Sequence, residues 1–359
     1  MSATITFYEE YNYLLRAIEP LHVGSGSGVF GRVDLPVVRD SATNLPYVPA
    51  TAIKGVLRHF SAYTTALKKQ DADVLMCADV RKISKRHDSV EKHPFKCEIC
   101  LAYGYVCEKI KPRNFAGILH FTDAHILLFP IPSAVKCPLF ITSDHMLTLF
   151  LQEICNWQGE LLLTQECLPL FQYDKNMINI GRYILNTEKN EIRNEIIDLL
   201  KTIKCTLCGF GNENKRELNL DKLLDRICVV KSDLFPRIIN NHMDFRTSIA
   251  IDPITGAAKT GALYTYEALP RETILWFKVY LRRMTRPMLE ELLEDTKEKR
   301  NDIVNSAVRI LGIESNTGKN IITLMEQASE LMSVFGIGGI VTRGFGRVCM
   351  YRISHSTSK

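Results

Sequence analysis

The 359-residue sequence contains no uninterrupted apolar run near the roughly 18 residues that a membrane-crossing helix requires. Its opening stretch, MSATITFYEEYNY, is neither basic nor followed by a long apolar segment, so a secretory leader is not expected. No internal repeat and no low-complexity tract interrupts the chain. Neither sign of charge dominates: 45 Lys and Arg against 40 Asp and Glu leave a net charge of +5, which suits a polyanionic partner without diagnosing one. The eleven cysteines, an odd number, do not read as a secreted disulfide framework. In a reducing cytoplasm they would be free thiols or metal ligands. These absences predict a cytoplasmic protein that does not associate with membranes.

Three common signatures of nucleotide chemistry are also missing. The run Gly24-Ser25-Gly26-Ser27-Gly28 is not followed by the helix and acidic residue of a dinucleotide fingerprint. The glycine-rich stretch 336–347 does not end in Gly-Lys-Ser/Thr, so it is not a phosphate-binding P-loop. No histidine or glutamate stands beside a Cys-x-x-Cys pair in the spacing of a zinc deaminase.

What is present is an apolar content of 46%, enough for a sizeable core, and strand-like composition at both ends with helical patterning between. Residues 11–23 read as a strand. After Pro49, Ile53, Val56, Leu57 and Phe60 recur at helical spacing, with Thr51 as the expected N-cap. The segment 115–130 returns to strand composition. Helices are expected over 147–154, 191–204, 285–302 and 321–335, the third from an apolar face of Met288, Leu289, Leu292 and Leu293. Two stretches lack core patterning. Between Asp79 and Arg113 lie nine basic and five acidic residues, with four cysteines from Cys77 to Cys107. The stretch 205–275 mixes polar loops with short strands. Strands at both ends, helices between and two irregular insertions predict an α+β domain, not a doubly wound parallel sheet.

Four separated stretches carry a family resemblance. They are HVGSGSGVFGRVDLPVVRDSATNLPYVPATAIKGVLR (22–58), AGILHFTDAHILLFPIPS (116–133), KTGALYTYEALPRETILWF (259–277) and GIGGIVTRGFGRV (336–348). In this order they resemble the RAMP superfamily of CRISPR proteins, and within it the repeated backbone subunit of type III effector complexes. Phe121-Thr122-Asp123 and Leu127-Leu128-Phe129-Pro130 favour the III-B (Cmr-type) version. Ala50-Thr51-Ala52 stands where family members usually carry Gly-Ser-Ser.

The resemblance implies a ferredoxin-like (RRM-like) palm, one RAMP domain over 1–359, with a Cys-rich basic insertion at 70–113 and a thumb-like hairpin insertion at 205–275. It implies a subunit stacked with copies of itself along a CRISPR guide RNA, beside other type III effector subunits, cutting the complementary target RNA at regular intervals. Met243 and Phe245 fall in the thumb, which pushes between guide and target bases. A scaffold that grips guide RNA without cutting is the alternative. A stand-alone guide-processing endonuclease of the same superfamily relies on a histidine-based site, against which the Asp-x-Pro motif argues.

By the same resemblance Asp34 of Asp-x-Pro is the cleaving residue. RNA breaks when a 2′-OH attacks the adjacent phosphate, and a carboxylate can take that proton or hold a divalent ion, magnesium being expected. Without the family, Asp34 is a turn residue before Pro36. His22 and Glu267 are its expected assistants; read alone, a histidine on a strand is structural and Glu267 is a surface residue. Lys54 and Arg58, four apart, share a helix face that would grip RNA phosphates, aided by the helix N-terminus; the plainer reading is an exposed basic face. Gly339, Arg343, Gly344 and Arg347 form a closing loop whose arginines would bind phosphate. Cys97-x-x-Cys100, with Cys107 and either Cys77 or His93, would make one structural zinc site, supplying folding energy to an insertion without a core. Cys205-x-x-Cys208 either joins that set in space or is an ordinary buried pair.

Overall fold

The computed structural model describes residues 6–26, 33–89, 91–189, 191–209, 217–218, 220–296, 299–313 and 319–355. The Ser27–Gly28 and Gly31 part of the glycine-rich run lies outside them. The strands are β1 (Tyr8–Ala17), β2 (Tyr47–Val48), β3 (Tyr105–Val106), β4 (Asn114–Phe115), β5 (Leu119–Phe121), β6 (Ala124–Ile131), β7 (Leu139–Ser143), β8 (Cys167–Pro169), β9 (Met177–Ile180), β10 (Tyr183–Asn186), β11 (Ile203–Leu207), β12 (Ile227–Val230), β13 (Asp244–Ile251), β14 (Ala258–Ala268), β15 (Ile274–Arg282) and β16 (Val348–His355). The α-helices are α1 (Ala50–Lys69), α2 (Ile83–Arg86), α3 (Glu98–Tyr103), α4 (Asp144–Cys155), α5 (Ile192–Lys201), α6 (Leu220–Leu224), α7 (Phe235–Asn240), α8 (Arg286–Leu292), α9 (Arg300–Leu311) and α10 (Lys319–Phe335).

Four strands and two helices make the frame. In chain order they run β1, α1, β6, β15, α10, β16, and across the sheet β16-β1-β15-β6, each neighbouring pair antiparallel. That is the split β-α-β of a ferredoxin-like palm, as expected. The central strands are apolar on both sides. Tyr11, Tyr13, Leu15 and Ala17 of β1 pack with α1, α9 and α10, while Leu14 faces the opposite layer with α4, α5 and α6. The alternation follows from the two-residue period of a strand. Tyr13 and Phe277 stack across β1 and β15 with ring centroids 5.5 Å apart. Among the described residues no helix is long and apolar enough to cross a membrane.

The insertions depart from expectation in extent. Two of the short strands expected there belong to the palm sheet and not to an insertion: β11, which starts at Ile203 within the expected helix over 191–204, pairs with β16, and β12 lies between β7 and β8, both in one ten-stranded sheet. What stands off the sheet within 205–275 is the β13–β14 hairpin. The single helix expected over 285–302 is two, α8 and α9; Leu292 and Met288 are exposed while Leu289 and Leu293 are buried. Lys299, in the left-handed region at φ 55°, sits at the restart before α9. Thr51 is not the cap of α1. Pro49 occupies that position, and the Ala50 N–H is taken by Asp123 Oδ1 at 2.6 Å.

Candidate functional site

Three of the four motifs meet at one rim of the palm. Leu35 runs beside β14: its N–H donates to the Thr265 carbonyl at 3.2 Å, and its carbonyl accepts from the Glu267 N–H at 3.1 Å. This pairing places Asp34 at the base of the hairpin, exposed, with Oδ2 accepting the Thr265 N–H at 2.7 Å. The glycine loop closes on the same place. Gly339 N–H donates to the His22 carbonyl at 2.9 Å and Gly346 N–H to the Pro20 carbonyl at 2.8 Å. Gly338 is at φ +88°, and a Cβ there would lie 2.3 Å from the His22 oxygen, so this close approach needs glycine. Exposed Arg343 reaches across to donate to the Tyr266 hydroxyl at 3.0 Å, and Arg246 lies over the Phe345 ring. Gly344, at φ +83° with nothing within 4 Å of a Cβ, is required by backbone conformation alone.

The expected assistants of Asp34 are turned inward. Glu267 is buried, accepts the Val37 N–H at 3.1 Å through Oε2 and pairs through Oε1 with the Arg39 guanidinium. It braces the Asp-x-Pro strand against β14 and is not a surface residue. His22 is buried too, with Nδ1 on the Glu267 carbonyl at 2.7 Å and its ring packed beside Gly24 and Gly339. The rim therefore presents one exposed carboxylate from the expected catalytic set.

Lys54 and Arg58 do not share an exposed face. Lys54 is half-buried, and burial, with the Arg58 charge second, holds its ammonium below the usual lysine range. Its Nζ makes a 3.5 Å contact with the Ala116 carbonyl and no ion pair with a described residue. Arg58 is buried at 6% exposure and donates from Nε to the Cys77 carbonyl at 2.7 Å. A helix face predicted for RNA thus divides: one residue looks outward, and the other fastens the Cys-rich segment to α1. The helix N-terminus is also partly taken, by the Asp123 carboxylate. Arg347 is exposed and donates to the Ser333 carbonyl at 2.8 Å, so it buttresses the end of α10.

The Cys-rich segment gathers Cys77, His87, Cys97 and Cys100, all buried, with one potential ligand atom from each within 4.8 Å of the others. Cys77 Sγ is 3.7 Å from Cys97 Sγ and 3.3 Å from His87 Nε2; Cys100 Sγ is 3.4 Å from His87 Nε2. This set could bind a metal ion. It corrects the expected one: Cys107 points its thiol at the His87 carbonyl, 3.2 Å away, and is no member. His93 is excluded because Nδ1 accepts the Phe95 N–H and Nε2 meets the Lys111 carbonyl. His87 was missed since it lies ten residues from either neighbouring cysteine, in no spacing motif; only its place within the same segment signalled it. The Cys97 thiol is held well below its ordinary range, chiefly by the Cys100 thiol beside it and next by that of Cys77. Cys205 and Cys208 join neither this cluster nor each other. Cys205 packs with the α4–α6 layer and Cys208 with the opposite one, and burial pushes the Cys205 thiol up to about 12.

A ferredoxin-like palm with a glycine loop closing on an Asp-x-Pro strand defines the class. The chain belongs to the RAMP superfamily, whose sequence profile matches residues 14–349. Within it, the chain is similar to the CRISPR system Cmr endoribonuclease Cmr4 of Pyrococcus furiosus, at 25% identity over 73% of this chain and 78% of the relative. It is also similar to the CRISPR system CMR subunit Cmr4 of Saccharolobus solfataricus, at 24% identity over 87% and 94%. Among solved structures, oligomeric Cmr4 from Pyrococcus furiosus shares the fold with a TM-score of 0.53 at 16% identity, over 98% of this chain and 100% of that one. A type III-B Cmr-beta complex in its apo state contains a chain that superposes with a TM-score of 0.52 at 16% identity, over 98% and 99%.

Proposed function

We propose that the chain is the repeated backbone subunit of a type III-B CRISPR effector, which binds guide RNA, stacks with its own copies and cleaves the paired target RNA. The observation that carries this reading is the convergence of three motifs on one rim, where exposed Asp34 is held by the Thr265 N–H at the foot of a protruding hairpin. The relatives' names, an endoribonuclease and a subunit of the Cmr system, support it.

The chemistry follows from what a lone carboxylate can do. Asp34 Oδ1 faces solvent with no hydrogen bond to a described residue, so it is available to accept the proton of a target 2′-OH. The 2′ oxygen then bonds to the adjacent phosphorus, the P–O5′ bond breaks, and O5′ takes a proton from water. The products are a 2′,3′-cyclic phosphate and a 5′-OH. Thr265 fixes the carboxylate, and the apolar tip of the hairpin would splay the target backbone toward in-line geometry. One hard carboxylate fits magnesium only when RNA phosphate oxygens complete the shell; bound there, the ion would neutralise charge on the reacting phosphate. The Cys/His cluster is no part of this chemistry, because buried thiols select a soft ion.

The test is cleavage of labelled complementary RNA by the guide-loaded complex, wild type beside Asp34→Ala. Evenly spaced cuts bearing cyclic-phosphate ends, lost in the variant while target binding persists, are expected. The inward commitment of His22 and Glu267 favours one rival, a scaffold that grips RNA without cutting. Intact target in both samples would establish that rival.

A further inference from the structure

We infer that Cys77, His87, Cys97 and Cys100 bind one structural Zn2+ that clasps the 70–113 segment to α1. The inference stands on the geometry of that segment and does not depend on the RNA reading. A tetrahedral zinc with Zn–S near 2.3 Å and Zn–N near 2.0 Å sets S···S separations of about 3.8 Å and S···N separations of about 3.5 Å. The cluster has 3.7 Å for Cys77–Cys97, and 3.3 and 3.4 Å for His87 to Cys77 and Cys100. A disulfide would need sulfurs near 2.05 Å.

The imidazole is oriented for the task. His87 Nδ1 hydrogen-bonds the Lys92 carbonyl, which leaves the Nε2 lone pair turned to the sulfurs. Cys107 steadies the same residue from outside, through its thiol on the His87 carbonyl. All four ligands are buried, so no water position remains open, and four protein ligands mark a structural site, not a catalytic one.

Charge supplies an independent argument. Arg58 and Arg86 each bury a guanidinium nitrogen, Nη2 and Nη1, that has no hydrogen-bond partner. Arg58 donates to the Cys77 carbonyl, and Arg86, which precedes His87, pairs through Nη2 with Asp71 at 3.2 Å and leaves only Nη1 unsatisfied. Unpaired buried cations are costly. Three thiolates, one neutral imidazole and Zn2+ carry a net charge of −1, a counter-charge for buried Arg58, which has no ion pair with a described residue. The ion would join three stretches of chain that share little regular structure, and Arg58 would pass that restraint to α1.

The experiment uses the full-length chain purified without chelator. Elemental mass spectrometry should find about one zinc per chain. Cobalt exchanged for zinc should give intense visible bands of tetrahedral geometry and thiolate charge transfer in the near ultraviolet. Less than about a tenth of an equivalent of zinc, with the three thiols and the imidazole free to reagents, would overturn the site; stoichiometric iron would overturn the choice of ion. His87→Ala should weaken zinc, read by competition with a colorimetric chelator, by more than the about 10- to 100-fold typical of losing an outer partner. Cys107→Ser should weaken it by about tenfold or less. The reverse order would return Cys107 to the ligand set. Stripping zinc from the wild type should open protease cuts confined to 70–113, and an unchanged digestion pattern would refute the clasp.

Discussion

At the scale of single residues, the chemistry of the rim divides between groups that face outward and groups that hold the rim in shape. Glu267 belongs to the second. Glu267→Ala would leave the four-fifths-buried Arg39 without its partner, at a cost of about 2–3 kcal/mol, somewhat under the figure for a fully buried pair. The melting temperature should fall by about 3–6 °C. Glu267→Gln, which keeps an acceptor for Val37, should retain cleavage in the assembled complex. Abolished cleavage in the Gln variant at unchanged melting temperature would restore a catalytic role. Lys54 makes the opposite case. A lysine depressed in the folded chain binds fewer protons there than when unfolded, so its charge costs stability at neutral pH, and the cost eases as pH rises through the folded value toward the unfolded one. Lys54→Met should therefore hold or raise the melting temperature. If the residue meets a guide phosphate, the same change should lower RNA affinity and flatten the log-affinity against log-salt slope by about 0.7. An unchanged slope would remove Lys54 from the RNA surface.

Among elements, one spacing has two fates. Cys97-x-x-Cys100 straddles the start of α3, where the chain turns and both sulfurs meet. Cys205-x-x-Cys208 leaves a strand, whose alternation sends residues three apart to opposite faces. A sequence motif does not carry that distinction until the element under it is known. The β13–β14 hairpin carries a second lesson. Phe245, Ile249, Ile254, Leu263 and Tyr264 are all exposed, and Ile249 faces Leu263 across the ladder. Apolar area left in water this way marks a contact surface. Replacing Ile249 and Leu263 by Ser should leave the melting temperature within about 2 °C while reducing target cleavage by the guide complex at least tenfold. Full activity would show that the hairpin needs no apolar side chains to work. The composition of 205–275 revealed a protruding element but not its limits, because β11 and β12 are short strands whose partners, β16 and β7, lie far along the chain.

For the whole molecule, the palm was legible because its four strands and two long helices obey local rules of periodicity, and because four motifs fall in a recognisable order. Less legible was everything set by distant partners. Arg58 looked like half of a basic face until Cys77 arrived beside it, His87 had no spacing to betray it, and the break between α8 and α9 had only the weakly patterned stretch around Lys299 to signal it. Asp34 was read from the motif, while its support by Thr265 came only from the fold.

The position of β1 has a consequence for how the protein is made. It is made long before its two neighbours, β15 and β16, and the Tyr13 hydroxyl meets Glu326, 313 residues later. At ~5–20 residues per second, a ribosome needs about 15–60 s to supply that partner. For most of that interval neither edge of an aromatic, apolar strand has its partner; β1 gains β15 first, and the palm sheet closes around it only once β16 has been made.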